Sequence, residues 1–592
     1  MNMKCQNKPH IYTFKLLKYI WSFDKQSIIL TCFTSVISAF ISLVILYLPK
    51  VFIDYILNAN ITNALFIILL YVLVVILFNI VVGISSYILQ INEQKRLFHI
   101  VRDMMLHTLK INYEYIENSE FLNAYNRRLN NMQNACKQVI ALLSNLFNQI
   151  LTIGVIIGLF ASLNMYVILI ALVMVIVDIV ISLIVNKLEY KMSIESQKQH
   201  KKFNVLVRIF YLYNSIREIK TLNINKEVTY KYDETVNENL NIYSKFKKKS
   251  SFLNIISSII TESGPVIPMI MFGKFVLDKI ISISTYFLYI NAYSEFKNSI
   301  KLIFGIIPQL FVNELYCKDF FEYMEDETLT TIINNDGIIL DEINEIRFEN
   351  VSFKYYGSDK MILNDISFVI KKGEKVAFVG HNGAGKSTII KLMCGLYKPD
   401  QGNIYINGIN IHDFKTTSFY EKISILFQDY YVFPFTIREN ITAFRKEVNE
   451  EQINKMINLF SLQSKIESLQ KGLDTGVGGE FYDDYTQLSG GEQQKLAIIR
   501  LLSKANTDAY ILDEPSNNLD PKSEYELYKY IFNEFFDKTI VFISHRLTMA
   551  TKMDKIFVIE NGRIVEEGNH DNLFSNHGIY YDMFITQSEK YK

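Results

Sequence analysis

Long apolar runs dominate the first part of the chain, and short runs of alternating apolar and polar residues replace them in the second part. A hydrocarbon core about 30 Å thick requires roughly 20 apolar residues in helical conformation to cross it. The segments that approach this length are Ser27–Leu48, Ala64–Leu89, Val139–Phe160, Met165–Val185, Phe252–Val276 and Ile281–Phe304. Pro265 and Pro268 predict a kink in the fifth segment. The pattern therefore predicts a polytopic α-helical membrane domain with six transmembrane helices at 27–310, a linker at 311–345 and a separate domain at 346–592.

The connections between these segments alternate in length and charge. Those after the second and fourth segments, Ile91–Gln138 and Asn186–Ser251, are long and rich in Lys and Arg, whereas the others are short. Membrane proteins carry an excess of Lys and Arg in cytoplasmic loops, which places the long connections in the cytoplasm. An even number of crossings then leaves both termini and the second domain in the cytoplasm of a cell-membrane protein. Apolar residues at helical spacing, such as Leu97, Val101 and Met105, indicate that the long connections are helical.

Residues 1–26 precede the first apolar segment and lack the short apolar core and small-residue cleavage site of a signal peptide. At helical spacing one side of this N-terminal segment is apolar and the other carries lysines, which predicts an amphipathic helix at the membrane surface. The residues expected to face lipid are Tyr12, Leu16, Leu17, Ile20 and Phe23, and those expected to face water are Lys15, Lys18 and Lys25. A basic tail without this role is the alternative.

Acidic residues interrupt three of the apolar segments. Asp178 lies in the fourth segment, Glu262 in the fifth and Glu295 in the sixth. Since ionisable side chains within a membrane are costly and usually face an interior or a cavity, these acids are candidates for a cavity wall that attracts a cationic substrate. Interhelical hydrogen bonds or ion pairs, for instance with Lys297 or Lys301, would explain them at least as well.

A phosphate-binding loop follows the first strands of the second part, where the apolar strand KVAFVG leads through GHNGAGKST into a helix. Glycines in such a loop let backbone N–H groups surround a phosphate, and the helix N-terminus adds positive potential. The predicted nucleotide-binding residues are Gly380, His381, Asn382, Gly383, Ala384, Gly385, Lys386, Ser387 and Thr388. Lys386 should bridge the β- and γ-phosphates and Ser387 should ligate Mg²⁺, so ATP and Mg²⁺ are the expected ligands.

Further motifs of a nucleotide-binding site follow along the chain. They are Gln428 in ISILFQDYYVF, the LSGGE segment Leu488–Glu492, the acids Asp513 and Glu514 in AYILDEP, and His545 in TIVFISH. With these motifs in this order, the chain resembles an ATP-binding cassette (ABC) transporter over nearly its whole length. The resemblance implies a half-transporter, in which a membrane domain of the type IV exporter fold is joined to an α/β P-loop ATPase domain of the ABC type.

The resemblance also implies roles for the residues after the phosphate-binding loop. Gln428 would contact Mg²⁺ and the attacking water, and Asp513 would hold Mg²⁺ through water. Glu514 would polarise that water as the general base. His545 would hydrogen-bond the γ-phosphate.

The same family places an aromatic residue against adenine and short coupling helices in the long connections. Tyr355 stands at the adenine position, although the adjacent Tyr356 could compete for it and Tyr355 could instead be structural. The coupling helices, which would carry motion from the ATPase domain to the membrane domain, would fall near Tyr115–Phe121 and Tyr213–Ile219.

The LSGGE segment opens a helix and is expected to bind phosphate on a second copy of the ATPase domain. Its predicted site residues are Ser489, Gly490, Gly491 and Glu492, the last in place of the commoner Gln. The loop SNNLD, at 516–520, would cross the same dimer interface through Asn517, Asn518 and Asp520. It departs from the usual SALD, because Asn517 and Asn518 replace Ser and Ala, which puts the fine coupling between the two sites in doubt. One chain would then need a second copy of itself, or a related half-transporter, to complete an ATP site.

Composition narrows the choice of partners. The 61 Lys and Arg balance the 61 Asp and Glu, so net charge does not point to nucleic acid, and we expect no nucleic-acid partner. The five cysteines lie far apart, without the spacing of a disulfide framework or of a familiar zinc site. The expected partners are membrane lipid, a second half-transporter and a transported molecule.

The expected function is ATP-driven export, since membrane and ATPase parts fused in this order resemble exporters. The stretch GGEFYDDYTQLSGGEQQKLAIIR resembles bacterial exporters of lantibiotic-like and other peptides, so a peptide is the first expectation for the cargo. Because only 26 residues precede the first apolar segment, we expect no peptidase domain that would trim a leader. A lipid or an amphipathic drug is the alternative cargo. An ATP-gated channel or regulator is a further alternative, which the intact Glu514 and His545 disfavour.

Overall fold

The computed structural model describes residues 11–161, 202–263, 265–326, 336–445, 449–544 and 549–589, together with isolated positions at 328, 329, 334 and 547 and between 176 and 199. The chain forms two compact units. The first consists of Met1–Leu106 and Ala124–Glu325, and the second of His107–Asn123 and Asp326–Lys592. A short stretch from the first long connection therefore belongs to the same unit as the C-terminal domain.

The first unit is helical throughout the part that the structure describes. Its helices, with the short helices of the long connections, are α1 (Ile11–Phe23), α2 (Lys25–Leu57), α3 (Ile61–Thr108), α4 (Tyr113–Ile116), α5 (Ser119–Ala161), α6 (Tyr213–Leu222), α7 (Asn225–Ser263), α8 (Val266–Leu277) and α9 (Ile283–Met324). Among these, α2, α3, α5 and α9 are long and apolar enough to cross a membrane by length and composition. They contain the first, second and third predicted segments and all of the sixth except Ile281 and Ser282. The fourth, Met165–Val185, lies almost wholly outside the described residues.

The fifth predicted segment is two helices rather than one. Helix α7 ends at Ser263, and α8 begins at Val266 with Pro265 as its N-cap residue. Pro268 follows in the first turn of α8 and does not break it, because the first four N–H groups of a helix have no partner within the helix. Helical structure is thus interrupted at Pro265, the first of the two prolines from which a kink was predicted.

Helix α1 forms as predicted, but the prediction of the side that faces lipid is wrong. Leu16 and Ile20 are 0% exposed, so protein covers them. Phe14 and Trp21, on other sides of the helix, are exposed. An apolar stripe in a sequence marks a face that avoids water, and it does not show whether lipid or protein covers that face.

The last helix of the first unit holds the start of α1. The backbone N–H groups of Tyr12 and Thr13 donate to the two carboxylate oxygens of Glu314, in α9, at 2.9 and 2.7 Å. Lys15, which was expected to face water, pairs with Glu325 just beyond the end of α9, at 2.5 Å. Glu314 thus satisfies N–H groups that the first turn of α1 leaves unpaired, and its charge suits the positive end of that helix.

The described parts of the long connections are mainly helical, as their apolar spacing predicted. Helix α3 runs on to Thr108 and α5 starts at Ser119, with only α4 between them. The first coupling helix was expected near Tyr115–Phe121, and α4 begins two residues earlier and is shorter. The second was expected near Tyr213–Ile219, where α6 lies. Helix α9 continues to Met324, so the predicted linker at 311–345 begins with helical residues.

The second unit contains two larger sheets. Its strands are β1 (Glu345–Phe353), β2 (Leu363–Lys371), β3 (Lys375–Val379), β4 (Gln401–Ile406), β5 (Ile409–Asn410), β6 (Ile423–Leu426), β7 (Gly476–Val477), β8 (Tyr485–Thr486), β9 (Ala509–Asp513), β10 (Thr539–Ile543), β11 (Lys555–Glu560) and β12 (Arg563–Gly568). The antiparallel sheet has the order β2-β1-β4-β5, and the six-stranded sheet has the order β12-β11-β3-β10-β9-β6. The strands β7 and β8 form a small separate pair.

Helices accompany the larger sheets of the second unit. They are α10 (Lys386–Met393), α11 (Thr416–Lys422), α12 (Ile437–Thr442), α13 (Glu450–Leu459), α14 (Gln463–Glu467), α15 (Gly490–Leu502), α16 (Pro521–Glu534), α17 (His570–Ser575) and α18 (Ile579–Glu589). The strands β11, β3, β10, β9 and β6 run parallel to one another, and their residues are mostly buried. In an open sheet with parallel strands, ligands bind beyond the carboxyl ends of the strands.

The register of the six-stranded sheet brings the predicted site residues to one edge. Ile543 at the end of β10 lies opposite Asp513 at the end of β9, and on its other side it lies opposite Phe378 of β3. Leu426 at the end of β6 lies opposite Leu512. The segments that follow these four strands therefore leave the sheet together.

Candidate functional site

The phosphate-binding loop joins β3 to α10 and depends on glycine where the chain is crowded. Gly385 is the N-cap residue of α10 with a φ of 106°, in the left-handed region that glycine adopts without strain. A Cβ atom at Gly380 would lie 2.2 Å from the backbone oxygen of Ile559. The predicted strand, loop and helix are thus present, with the N-terminus of α10 at the loop.

Lys386 is folded back over this loop. Its ammonium group donates to the backbone oxygens of Gly380 at 2.9 Å and His381 at 3.0 Å. Burial lowers the pKa of Lys386, while the nearby carboxylates of Glu514 and Asp513 act in the opposite direction. A buried ammonium group next to exposed loop amides is well placed to bind a phosphate oxygen.

Asp513 is the last residue of β9 and is only 3% exposed. Burial raises the pKa of its carboxyl group to about 6, and the charge of Glu514 adds to this, while a hydrogen bond with Ser387 opposes it. Its Oδ1 atom is buried and, within the part of the chain that the structure describes, has no hydrogen-bond partner. A buried carboxylate oxygen without a donor, beside a serine hydroxyl, matches the oxygen ligands that Mg²⁺ prefers.

Glu514 follows directly and is held by two amide groups. The Nε2 atom of Gln428 lies 2.7 Å from its Oε2 atom, and the Nδ2 atom of Asn517 lies 2.5 Å from the same oxygen. Glu514 is 8% exposed and has a φ of 49°, which is unusual for a residue other than glycine. The structure therefore brings Gln428 and Glu514 together, as expected for a shared role. His545, the remaining predicted catalytic residue, lies outside the described residues.

These side chains line one cavity of about 390 Å³. Its lining residues are Tyr355, Ile362, Asn382, Gly383, Gly385, Lys386, Ser387, Thr388, Gln428 and Glu514. A volume of this order is typical of small-molecule sites. The cavity combines backbone donors, a cation and a carboxylate in one place, which is the chemistry that binding and hydrolysis of a nucleoside triphosphate require.

The two adjacent tyrosines have different surroundings. Tyr355 lines the cavity, and its hydroxyl group lies 2.9 Å from the Oγ1 atom of Thr388. Tyr356 is 61% exposed, and its ring packs edge-on against that of Tyr115, with 5.2 Å between the ring centroids. The geometry therefore favours Tyr355 for contact with a bound base.

Replacing Tyr355 with Ala should weaken ATP binding roughly 5- to 150-fold, because stacking of a base on an aromatic ring contributes about 1–3 kcal/mol. Tyr356→Ala is the matched control and should leave ATP affinity within about twofold. Equilibrium titration with a fluorescent ATP analogue measures both. A larger loss of affinity in Tyr356→Ala would assign the adenine contact to the second tyrosine.

A charged aromatic cluster next to the cavity was not predicted from the sequence. The Nζ atom of Lys391, in α10, lies 2.7 Å from the Oε1 atom of Glu117 and 5.8 Å from the ring centroids of Tyr113, Tyr355 and Tyr397. Tyr397 also donates a hydrogen bond to Glu117. Burial opposes ionisation of Glu117, but the donors Lys391 and Tyr397 outweigh it and lower its pKa. Tyr355 thus belongs both to the cavity and to the contact with the segment around α4.

The LSGGE segment lies at the start of α15. Ser489 is the N-cap residue, and its hydroxyl accepts from the N–H group of Glu492, whose carboxylate accepts from the N–H group of Ser489. Glu492 therefore completes a capping box. Ser489 and Gly490 are exposed. Among the residues that the structure describes, the LSGGE positions are absent from the lining of the cavity that holds Lys386.

The loop 516–520 is tied to the same helix. Gln494 of α15 donates to the backbone oxygen of Pro515 and accepts from the N–H group of Asn518, both at 2.7 Å. Asp520 is the N-cap residue of α16 and accepts from the N–H group of Ser523. The backbone of this loop is thus fixed at both ends, whereas Asn517 and Asn518 are exposed.

Of the three acids predicted for a substrate cavity, the structure describes the side chain of Glu295. Glu295 is half-buried in α9, next to the buried residues Phe296 and Lys297. Asp178 and the side chain of Glu262 lie outside the described residues. The assignment of all three to a cavity wall stays a prediction.

Known families and proteins match both units. The family model of the ABC transporter transmembrane region matches residues 28–296, and that of the ABC transporter matches residues 363–517. Together they cover more than two thirds of the chain.

Curated relatives include transport proteins for peptides and for lipid. The chain is 34% identical to the subtilin transport ATP-binding protein SpaT of Bacillus subtilis over 64% of its own length and 61% of that protein. It is 28% identical to the nisin transport ATP-binding protein NisT of Lactococcus lactis subsp. lactis over 99% of its own length and 98% of that protein. An ATP-dependent lipid A-core flippase of Haemophilus ducreyi is 34% identical over 46% of each chain.

A solved structure of a bacterial Atm1-family ABC exporter with ATP bound has the same fold. It matches with a TM-score of 0.77 and 21% identity, over 98% of this chain and 99% of that chain. At this identity the likeness concerns the fold alone, and it agrees with the membrane domain and the ATPase domain expected from the sequence.

Proposed function

Because this chain belongs to the ABC transporter family, with its transmembrane region and its ATPase domain fused in one chain, we propose that it exports a peptide across the cell membrane by hydrolysing ATP. The observation that carries the proposal is the cavity in which Lys386, Ser387, Gln428 and Glu514 converge. ATP binding and hydrolysis would shift the population of membrane-domain conformations that open to either side. Both termini and the ATPase domain lie in the cytoplasm, since the connections that carry most Lys and Arg belong on that side.

The residues of the cavity have separate roles in ATP hydrolysis. Lys386 binds the β- and γ-phosphates and stabilises charge that develops on them. Glu514 accepts a proton from the water that attacks the γ-phosphorus atom, and Gln428 orients this water. His545 hydrogen-bonds the γ-phosphate. Ser387, Asp513 and Gln428 would hold Mg²⁺, which when bound neutralises charge on the phosphates.

A second chain completes the ATP site. Ser489 and Gly490 are exposed at the N-terminus of α15, where helix N–H groups and the helix dipole favour an anion. The cavity of the same chain does not include them, which supports a role at a nucleotide bound to a partner. The simplest partner is a second copy of this chain, and a related half-transporter is the alternative.

A cationic peptide is the proposed cargo. The support is the similarity to SpaT and NisT, whose names assign them to the transport of subtilin and nisin. The acid Glu295, half-buried in α9, would attract a cation if it faces the transport path. A lipid or an amphipathic small molecule is the second candidate, which the similarity to a lipid A-core flippase favours.

Stimulation of ATP hydrolysis by candidate cargoes tests this choice. We expect cationic peptides, with and without a leader segment, to raise the steady-state rate of the protein in lipid nanodiscs several-fold. Acidic peptides of the same length serve as the matched control, and Glu514→Gln protein shows which phosphate release comes from this enzyme. Stimulation by lipids or dyes, together with no response to any peptide, would replace the peptide with the second candidate.

A further inference from the structure

One oxygen of the general base carries both amide contacts. The Oε2 atom of Glu514 accepts from Gln428 at 2.7 Å and from Asn517 at 2.5 Å. A carboxylate oxygen has two lone pairs in the plane of the group, so two N–H donors occupy that oxygen. Because Oε2 is fixed, the plane of the carboxylate is fixed, and with it the direction of both oxygens.

Contacts on both sides of Glu514 fix its backbone. The backbone has a φ of 49°, and its N–H group donates to the backbone oxygen of Ile543 at 2.9 Å. Ser516, two residues further on, is buried and lies 3.2 Å from the hydroxyl of Tyr528. The backbone of Glu514 is therefore fixed, and a change in this contact has to come from rotation of a side chain.

Asn517 is the partner that can move. It is exposed, whereas Gln428 lines the cavity and is expected to stay near the nucleotide and the water. Asn517 also belongs to the loop 516–520, which would meet the second chain of the proposed dimer. An approaching chain can therefore displace its amide group without disturbing the cavity.

We propose that Asn517 is a positioning residue that holds Glu514 in a resting orientation, and that the second chain releases Glu514 by engaging Asn517. The inference rests on the proposed function, since it requires an ATPase that works as a dimer. Hydrolysis requires a carboxylate oxygen aimed at the attacking water, and an oxygen that already accepts two amide protons is a poor acceptor for a third. Loss of the contact with Asn517 removes one of the two amide donors from this oxygen and loosens the orientation of the carboxylate.

The contact with Glu514 depends on the length of the side chain at 517. In the SALD form of this loop a serine takes this position, and a serine hydroxyl ends closer to the backbone than a carboxamide does. Without movement of the loop, a serine at this position would not reach Glu514. The replacement by Asn thus adds a contact between the interface loop and the general base.

The test compares Asn517→Ser and Asn517→Leu in full-length protein in nanodiscs without cargo. In Asn517→Ser the side chain is too short to reach Glu514. In Asn517→Leu the side chain keeps roughly the same volume but has no hydrogen-bond donor. Both should raise kcat for ATP about tenfold, the scale of one hydrogen bond to a charged group, and leave KM for ATP within about twofold. Asn533→Ser, at an exposed position of α16, is the control and should change neither constant.

Each outcome bears on the inference. An unchanged or lowered kcat in both variants overturns it, and so does a changed KM with an unchanged kcat. A rise in Asn517→Ser alone would also overturn it, because loss of the donor is common to both variants. Failure of the proposed function is recognised separately, since the parent protein would then show no ATP hydrolysis that depends on Glu514.

Discussion

Protein carrying Glu514→Gln should hydrolyse ATP at least about a hundredfold more slowly than the parent protein, while its affinity for ATP stays within about twofold. The substitution preserves the size of the side chain and removes the group that accepts a proton from water, a contribution of about 10²–10⁴ in rate. The new carbonyl oxygen can still accept from Gln428 and Asn517, so the cavity should keep its shape. Steady-state phosphate release and ATP titration measure the two quantities.

A matched substitution separates this effect from a general change of charge. Glu534 lies on the surface of the same domain and pairs with Lys455 at 3.0 Å. Exposed ion pairs of this kind contribute about 0–1 kcal/mol, so Glu534→Gln should hydrolyse ATP at nearly the parent rate. If Glu514→Gln kept the parent rate as well, the general base would have to be another residue.

Mixed dimers of two inactive chains should regain activity. We expect Lys386→Ala to disable the phosphate-binding loop and Ser489→Arg to block the anion site at α15, each with a loss of roughly 10²–10³ in rate. In a dimer with one chain of each kind, one ATP site carries both defects and the other site carries neither. The mixed dimer should therefore reach about half the parent rate, whereas each pure dimer stays near background.

Two different affinity tags isolate the mixed dimer for this measurement. A control dimer with the two tags on parent chains gives the reference rate. If the phosphate-binding loop and the LSGGE segment of one chain served the same nucleotide, each chain of the mixed dimer would contain a defect in its own site. The mixed dimer would then be as inactive as the pure dimers, and the shared ATP site would be refuted.

The residues of the cavity at Lys386 were predictable because their positions follow from short motifs at strand ends. The strands β3, β6 and β9 are apolar runs that end in the phosphate-binding loop, near Gln428, and at Asp513. Parallel pairing brings such ends to one edge of a sheet. A motif at the end of a buried strand therefore gives both the identity and the approximate place of a side chain.

Contacts between distant parts of the chain were not predictable in the same way. Glu117 and Lys391 are 274 residues apart, and nothing in the local pattern of either pairs them. The covered face of α1 was assigned to lipid because the sequence does not show that α9 lies beside it. The contact of Asn517 with Glu514 is local, but it depends on a rotamer and a left-handed backbone that the motif does not show.

The attachment of α1 to Glu314 sets an order of events during biosynthesis. The N–H group of Thr13 and its carboxylate acceptor are 301 residues apart in the chain, so α1 must wait for the end of α9 to be translated. At about 5–20 residues per second, this wait lasts roughly 15–60 s. During that time the buried side of α1, with Leu16 and Ile20, lacks its final cover and is open to the membrane surface or to a chaperone. The contact between α1 and Glu314 therefore forms late, after α9 has been translated.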